Sequence, residues 1–303
     1  MVRKFALSAA LLCLMATAGQ AQVLFSDGFE SYAAGSLDAN LAGGPNQATN
    51  GGPGNPWFGP APPNLQVVGA GGGLSSGAAG PHTGNQMVTA HFASDFDQNW
   101  YNLAHRLNGG NNYTGNVALK WAFYDPNGAG DTNYLDYVAL GNYATASTAA
   151  ASGLDYTAAS GGNLNPGGAS QRLSLGGSNP AGFDATKYQA RVAGATDGLG
   201  GGQWFNVGTR SVGWHLAEIL LGADQGANTS VSFFIDDMVN PLLTHAIVTT
   251  GGVNVIELNA GFGTTGANYD DVSFSAVPVP EPSSLLLVAG GLVVVWRRRR
   301  RAT

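Results

Sequence analysis

The residues able to do chemistry are few and mostly scattered. Cleavage of a glycosidic bond needs two carboxylates a few ångströms apart. The chain has four glutamates, Glu30, Glu218, Glu257 and Glu281, and no two lie within six residues of each other. Gly73-Leu74-Ser75-Ser76-Gly77 matches the Gly-x-Ser-x-Gly pattern, but a nucleophile elbow needs a strand before it and a helix after it. Ala78-Ala79-Gly80-Pro81 is a poor helix start, so the match reads as chance in a Gly/Ser-rich loop. Gly69-Ala70-Gly71-Gly72-Gly73-Leu74 begins like a dinucleotide loop, but Leu74 stands where the third glycine belongs and no βαβ pattern follows. The five histidines, His82, His91, His105, His215 and His245, show no spacing that ligates a transition metal.

Aspartates suit a harder ion. Asp27, Asp95, Asp97, Asp236, Asp237, Asp270 and Asp271 fall at strand ends or turns, where carboxylate oxygens can take calcium. Asp27 and Asp271 become neighbours if the first and last strands pair, and these two are the candidate calcium ligands; no other cofactor is expected. Against a site, no loop has the Asp-x-Asp-x-Asp-Gly order, and Asp is also an ordinary turn residue that caps its own backbone. Large aromatics offer flat faces to sugar rings, although most should be core. Trp57 and Trp204, set among Pro- and Gly-rich neighbours, are the aromatics expected at the surface as candidate glycan contacts.

Positioning these residues falls to strands. In 303 residues there are 46 Gly and 14 Pro, and only 11% of residues are charged, a composition that disfavours helical bundles and coiled coils. A 44% hydrophobic content suffices for a core. Short β-type runs recur between Gly/Asn/Pro turns, among them 65–68, 86–92, 116–124, 134–140, 188–192, 214–221, 231–235, 246–249, 253–258 and 270–275. Within 116–124, Val117, Leu119, Trp121 and Phe123 alternate onto one face. Ten or more such strands predict two packed antiparallel sheets. Three tracts of small residues, 43–80, 144–170 and 194–202, read as surface loops.

The two ends differ from the middle. Residues 1–22 show Arg3 and Lys4, an apolar run from Phe5 to Ala18, and small residues Gly19 and Ala21. This is the plan of a secretory signal peptide cut after Ala21 or Gln22. The only cysteine, Cys13, would leave with it, which removes disulfides and thiol chemistry from the mature chain. Val23 to Val279 holds six basic and 18 acidic residues, a net charge of 6 − 18 = −12. Such a surface repels nucleic-acid backbones, so nucleic-acid binding is excluded. At the other end Pro280-Glu281-Pro282 precedes an apolar stretch over 284–296, then Arg297, Arg298, Arg299, Arg300 and Arg301. That stretch is short for a stable span, and its arginines would stay cytoplasmic.

Tripeptide, hydrophobic helix and arginine cluster in this order resemble the PEP-CTERM sorting signal of Gram-negative, exopolysaccharide-producing bacteria. The resemblance covers residues 278–303. It implies that the tripeptide is recognised by exosortase, a membrane-embedded processing enzyme, and that the helix over 284–296 is a temporary anchor in the inner membrane after passage through the Sec translocon. The middle, residues 23–277, resembles concanavalin A-like jelly-roll sandwiches of the laminin-G-like type. The resemblance rests on Leu24 to Tyr32 as opening strand, Trp214-His215 with Val231 to Val239 as paired strands around an Asp-containing turn, and Tyr269 to Phe274 as closing strand. Sandwich hydrolases of β-glucans in that superfamily carry Glu-x-Asp-x-Glu on one strand, and this chain does not.

The expectation is therefore an all-β, two-sheet antiparallel jelly-roll sandwich with a helix at each end. Its expected function is non-catalytic, at the cell surface or in the extracellular matrix, associated with exopolysaccharide. A carbohydrate-binding lectin-like module is the first alternative, and a glycan-active enzyme the second.

Overall fold

The computed structural model describes residues 21–32, 34–36, 57–58, 65–69, 80–90, 101–107, 111–130, 135–143, 169–178, 184–194, 203–223, 229–247, 251–260 and 267–277. The chain divides into two units, one formed by Val23–Ser275 and one comprising Met1–Gln22 with Ala276–Thr303. Val23–Ser275 is a two-sheet antiparallel sandwich, as its alternating runs predict. Among the described residues no α-helix occurs, and the helical positions are a 3-10 turn at Gly128–Gly130 and the 3-10 residue Leu107. The helices expected in the signal segment and over 284–296 lie outside the described residues, except that Gln22 already belongs to the first strand.

The first sheet runs β14 (Leu243–Ile247), β13 (Thr229–Ile235), β12 (Gly213–Leu221), β7 (Val117–Asp125), β16 (Asn268–Ala276), β5 (Gln86–Ala90), β4 (Leu65–Gly69) and β2 (Gly35–Ser36), with β1 (Gln22–Asp27) also paired to β16. The second runs β11 (Gln203–Thr209), β10 (Lys187–Gly194), β9 (Ala169–Ser178), β8 (Leu135–Tyr143), β15 (Val255–Ala260), β6 (Tyr101–Arg106) and β3 (Trp57–Phe58). The opening strand is thus joined to the closing strand, as the resemblance implies.

Alternation explains the layering. Val117, Leu119, Trp121 and Phe123 all point into one buried cluster, together with Ala217, Ile219 and Phe233 from the first sheet and Leu140, Leu173, Leu175, Ile256 and Leu258 from the second. Each large apolar side chain so buried contributes ~1.5–3 kcal/mol. Between the sheets, Phe123 meets Tyr188 edge to face at 5.5 Å, and Tyr269 Oη donates to the Tyr137 carbonyl at 3.3 Å. β6, β9 and β11 are strands that the apolar pattern does not announce. β9 has only Leu173 and Leu175 as inward anchors and ends in Gly176-Gly177-Ser178.

Candidate functional site

Asp27 ends β1 inside the sandwich. Its Oδ1 accepts from the Phe29 amide at 2.8 Å, and its Oδ2 accepts from Tyr32 Oη at 2.5 Å and from Trp57 Nε1 at 2.7 Å. Burial, with Asp27 beside it, pushes the Tyr32 phenol pKa well up and keeps it a donor. Trp57 is 0% exposed. Its ring lies against Phe25 and Phe29, with centroids 5.8 and 6.0 Å away. The expectation that Trp57 is a surface aromatic is thereby corrected. A buried carboxylate requires donors, and the indole N–H supplies one from 30 residues along the chain.

Asp271 lies close by, since a Cβ added to Gly28 would stand 3.6 Å from its Oδ1. Strand pairing does bring Asp27 and Asp271 into the same region, but the two carboxylates serve different partners. Both Asp27 oxygens accept from N–H or O–H groups. Asp271 accepts from Thr83 Oγ1 at 2.7 Å and contacts His82 Nδ1 at 2.7 Å. Asp270, fully buried, accepts from the amides of His82 (2.9 Å), Thr83 (3.1 Å) and Asp271 (2.8 Å). Burial pushes its pKa up to about 6, against the pull of those amides. Glu30 Oε1 takes the Asn85 and Gln86 amides at 2.7 and 2.8 Å. Three acidic residues thus fasten the 82–85 loop and the start of β5. Among the described residues, no group of three or more His, Cys, Asp or Glu is arranged to hold a metal ion. Asp271 has φ +51°, at the point where β16 leaves its pairing with β5 (Asn268 with Thr89, Tyr269 with Val88).

A second constellation imitates a Ser-His-Asp triad. His215 Nδ1 lies 2.8 Å from Asp236 Oδ2, and Nε2 lies 3.4 Å from Ser211 Oγ. A triad needs Nε2 free to take the serine proton. Here Nε2 sits closer, at 2.8 Å, to the Ser211 carbonyl oxygen, which can only accept. His215 is also buried, against the rings of Phe123 and Tyr188. The group clamps two turns, and Asp236 (φ +62°) closes the other side through the Leu216 amide at 3.1 Å. Sequence reading paired Trp214-His215 with the Asp236-Asp237 turn by resemblance alone, and the hydrogen bond gives the physical reason.

The outer face of the second sheet is polar. Strand register aligns Glu257, Ala139, Ser174, Arg191 and Trp204 across five strands in one row. Tyr137, Gly176, Gln189 and Asn206 form the next. Arg172 joins Glu257 through Nη2–Oε2 at 2.6 Å and Nε–Oε2 at 3.1 Å, donates to Tyr137 Oη at 3.2 Å, and lies over that ring. This ion pair is fully buried. Toward the β11 edge the row opens. Trp204 and Arg191 are half-buried, with the guanidinium 5.0 Å from the indole centroid, and Asn206 is exposed. Trp204 therefore sits on the strand that follows the small-residue tract 194–202, at the accessible end of a polar row.

Asp95, Asp97, the Gly73–Gly77 match, Pro280-Glu281-Pro282 and Arg297 to Arg301 lie outside the described residues. Comparison speaks to the last two: residues 278–301 match the PEP-CTERM protein-sorting motif. The chain is thus exported and processed at the membrane by exosortase. No curated protein matches the chain. Among solved structures it is similar to an endo-1,3-beta-glucanase from Streptomyces sioyaensis, at 17% identity over 84% of this chain and 96% of that one, TM-score 0.42. An endo-beta-1,4-glucuronan lyase from the fungus Trichoderma reesei gives 13% identity over 73% and 90%, TM-score 0.43. The T. cruzi calreticulin globular domain gives 10% over 88% and 91%, TM-score 0.43.

Proposed function

We propose that the protein is a non-catalytic component of the cell surface or extracellular matrix of a Gram-negative bacterium, delivered through the Sec translocon and the inner membrane and associated there with exopolysaccharide. The carrying observation is the sorting motif at 278–301. A non-catalytic role is supported by the use made of the carboxylates. Glu257 is spent on Arg172, Asp125 on Arg210, Glu218 on Lys120, and Asp27 on Tyr32 and Trp57. The test is incubation of the processed protein with a panel of bacterial exopolysaccharides. Retention without any change in polymer length agrees with the proposal, and release of oligosaccharides overturns it.

A second reading, a carbohydrate-binding module, is favoured by the half-buried Trp204 at the open end of a polar row. An indole face packs on the C–H side of a sugar ring, and the exposed Asn206 beside it would hydrogen-bond hydroxyls. Loss of polysaccharide retention in Trp204→Ala, with an unchanged melting temperature, would select this reading.

A further inference from the structure

The first and last strands leave the sandwich together. β5 occupies Asn268 and Tyr269 of β16, and Gly28 lies against Asp271, so β1 runs back along the remainder of β16 and its start stands beside the end of its partner. Exposure grades along both strands. β1 passes from exposed at Gln22 to buried at Asp27, and β16 from buried at Asn268 to half-buried at Ser275 and Ala276. At this tip two apolar side chains are open to solvent, Val23 at 60% and Leu24 at 37%.

Charge sets this tip apart. No side chain from Gln22 to Ser26 or from Val272 to Pro280 is charged, and removal of the leader leaves only a new α-ammonium at this tip, although Val23 to Val279 carries 18 acidic residues against six basic ones. An acidic body is repelled by an anionic bilayer except where it presents an uncharged or positive surface. The processing tripeptide begins four residues beyond Ala276, and four residues of fully extended chain span at most ~14 Å. Exposed apolar side chains next to such a tether are suited to the interfacial zone of a membrane.

We infer that the tip formed by the start of β1 and the end of β16 is a membrane-facing surface, on which Val23 and Leu24 rest against the bilayer while the C-terminal tail is anchored. The inference builds on the membrane-processing reading. Contact at the tip would orient the sandwich and hold Pro280-Glu281-Pro282 at the surface where a membrane-embedded enzyme cuts.

The test uses the full chain produced in cells lacking exosortase, so that the leader is removed and the tail is kept. Without Cys13 the chain has no cysteine, so Leu24→Cys takes a single fluorescent label. Val239→Cys is the control. Val239 is 82% exposed in the turn after β13, at the sheet end where Asp125 pairs with Gly213; the Phe274 ring meets Tyr113, at the other end of β7. In phosphatidylethanolamine/phosphatidylglycerol vesicles carrying a lipid-borne quencher, the label at 24 is expected to be quenched at least twofold more than the label at 239. The difference should vanish in a chain ending at Val279. Equal quenching at the two positions in chains that float with the vesicles overturns the inference alone. Failure of the full chain to float overturns the membrane-processing reading as well.

Discussion

Replacing Arg210 with methionine should be among the most damaging single changes in the sandwich. Its guanidinium, 1% exposed, bonds Asp125 through Nε–Oδ2 at 2.9 Å and Nη2–Oδ1 at 3.0 Å, and Nη1 donates to the Ala185 carbonyl at 3.1 Å. Asp125 is itself fully buried, at the end of β7. Methionine fills most of the volume but leaves a buried carboxylate without its counter-charge, a loss of ~3–5 kcal/mol. The amides of Asn127 (3.1 Å) and Gly128 (2.8 Å) still donate to Asp125 Oδ1, which places the expected loss near the lower end, ~3 kcal/mol. For a domain of this size that corresponds to a fall in melting temperature of roughly 10 °C. In Asp125→Asn/Arg210→Met the stranded charge is gone, so the double variant should be more stable than Arg210→Met alone. Thermal and urea denaturation followed by circular dichroism reads both quantities. A loss under ~1 kcal/mol for Arg210→Met, or a double variant that loses the sum of the single losses, would refute the reasoning.

Other consequences can be checked on the same protein. Trp57→Phe keeps a ring in the core but removes the donor to Asp27 Oδ2, and should cost ~1–3 kcal/mol in denaturant melts. The raised pKa of Asp270, about 6 against its ordinary 3.8, means the folded state binds that proton more tightly than the unfolded state. Its stabilising contribution is complete below pH 3.8 and is lost as pH rises through about 6, with an upper bound of ~3 kcal/mol. Asp270→Asn should flatten the decline in stability between pH 4 and 7, and an unchanged slope would count against Asp270 as its source. Ser211→Ala should change stability by no more than ~0.5 kcal/mol, because the serine side chain gives His215 only its longest contact, at 3.4 Å.

The strands were legible where alternation is long and its apolar side well filled. Val117 to Phe123 is the best case, and the nine-residue β7 lies at the centre of the first sheet. β9 and β11 were not legible. β9 carries only two inward leucines beside a polar outward face, and β11 is an edge strand whose residues are half-buried or exposed on both sides. Each therefore lacks the contrast between faces that reveals a strand. The pairing of the opening and closing strands followed from their resemblance, but the duties of Asp27 and Asp271 did not. Those depend on Trp57, Tyr32, His82 and Thr83 arriving from elsewhere in the chain. For the same reason Pro and Gly neighbours misplaced Trp57 at the surface: local sequence reports turn chemistry, whereas burial is decided by a partner 30 residues away.

The intact mass of the protein released by cells that make exosortase tests the central claim most directly. A chain beginning at Gln22 or Val23 and ending before Leu285, so that Trp296 and the five terminal arginines are absent, is the predicted product. A released protein that still runs from Met1 to Thr303 would contradict export and processing together.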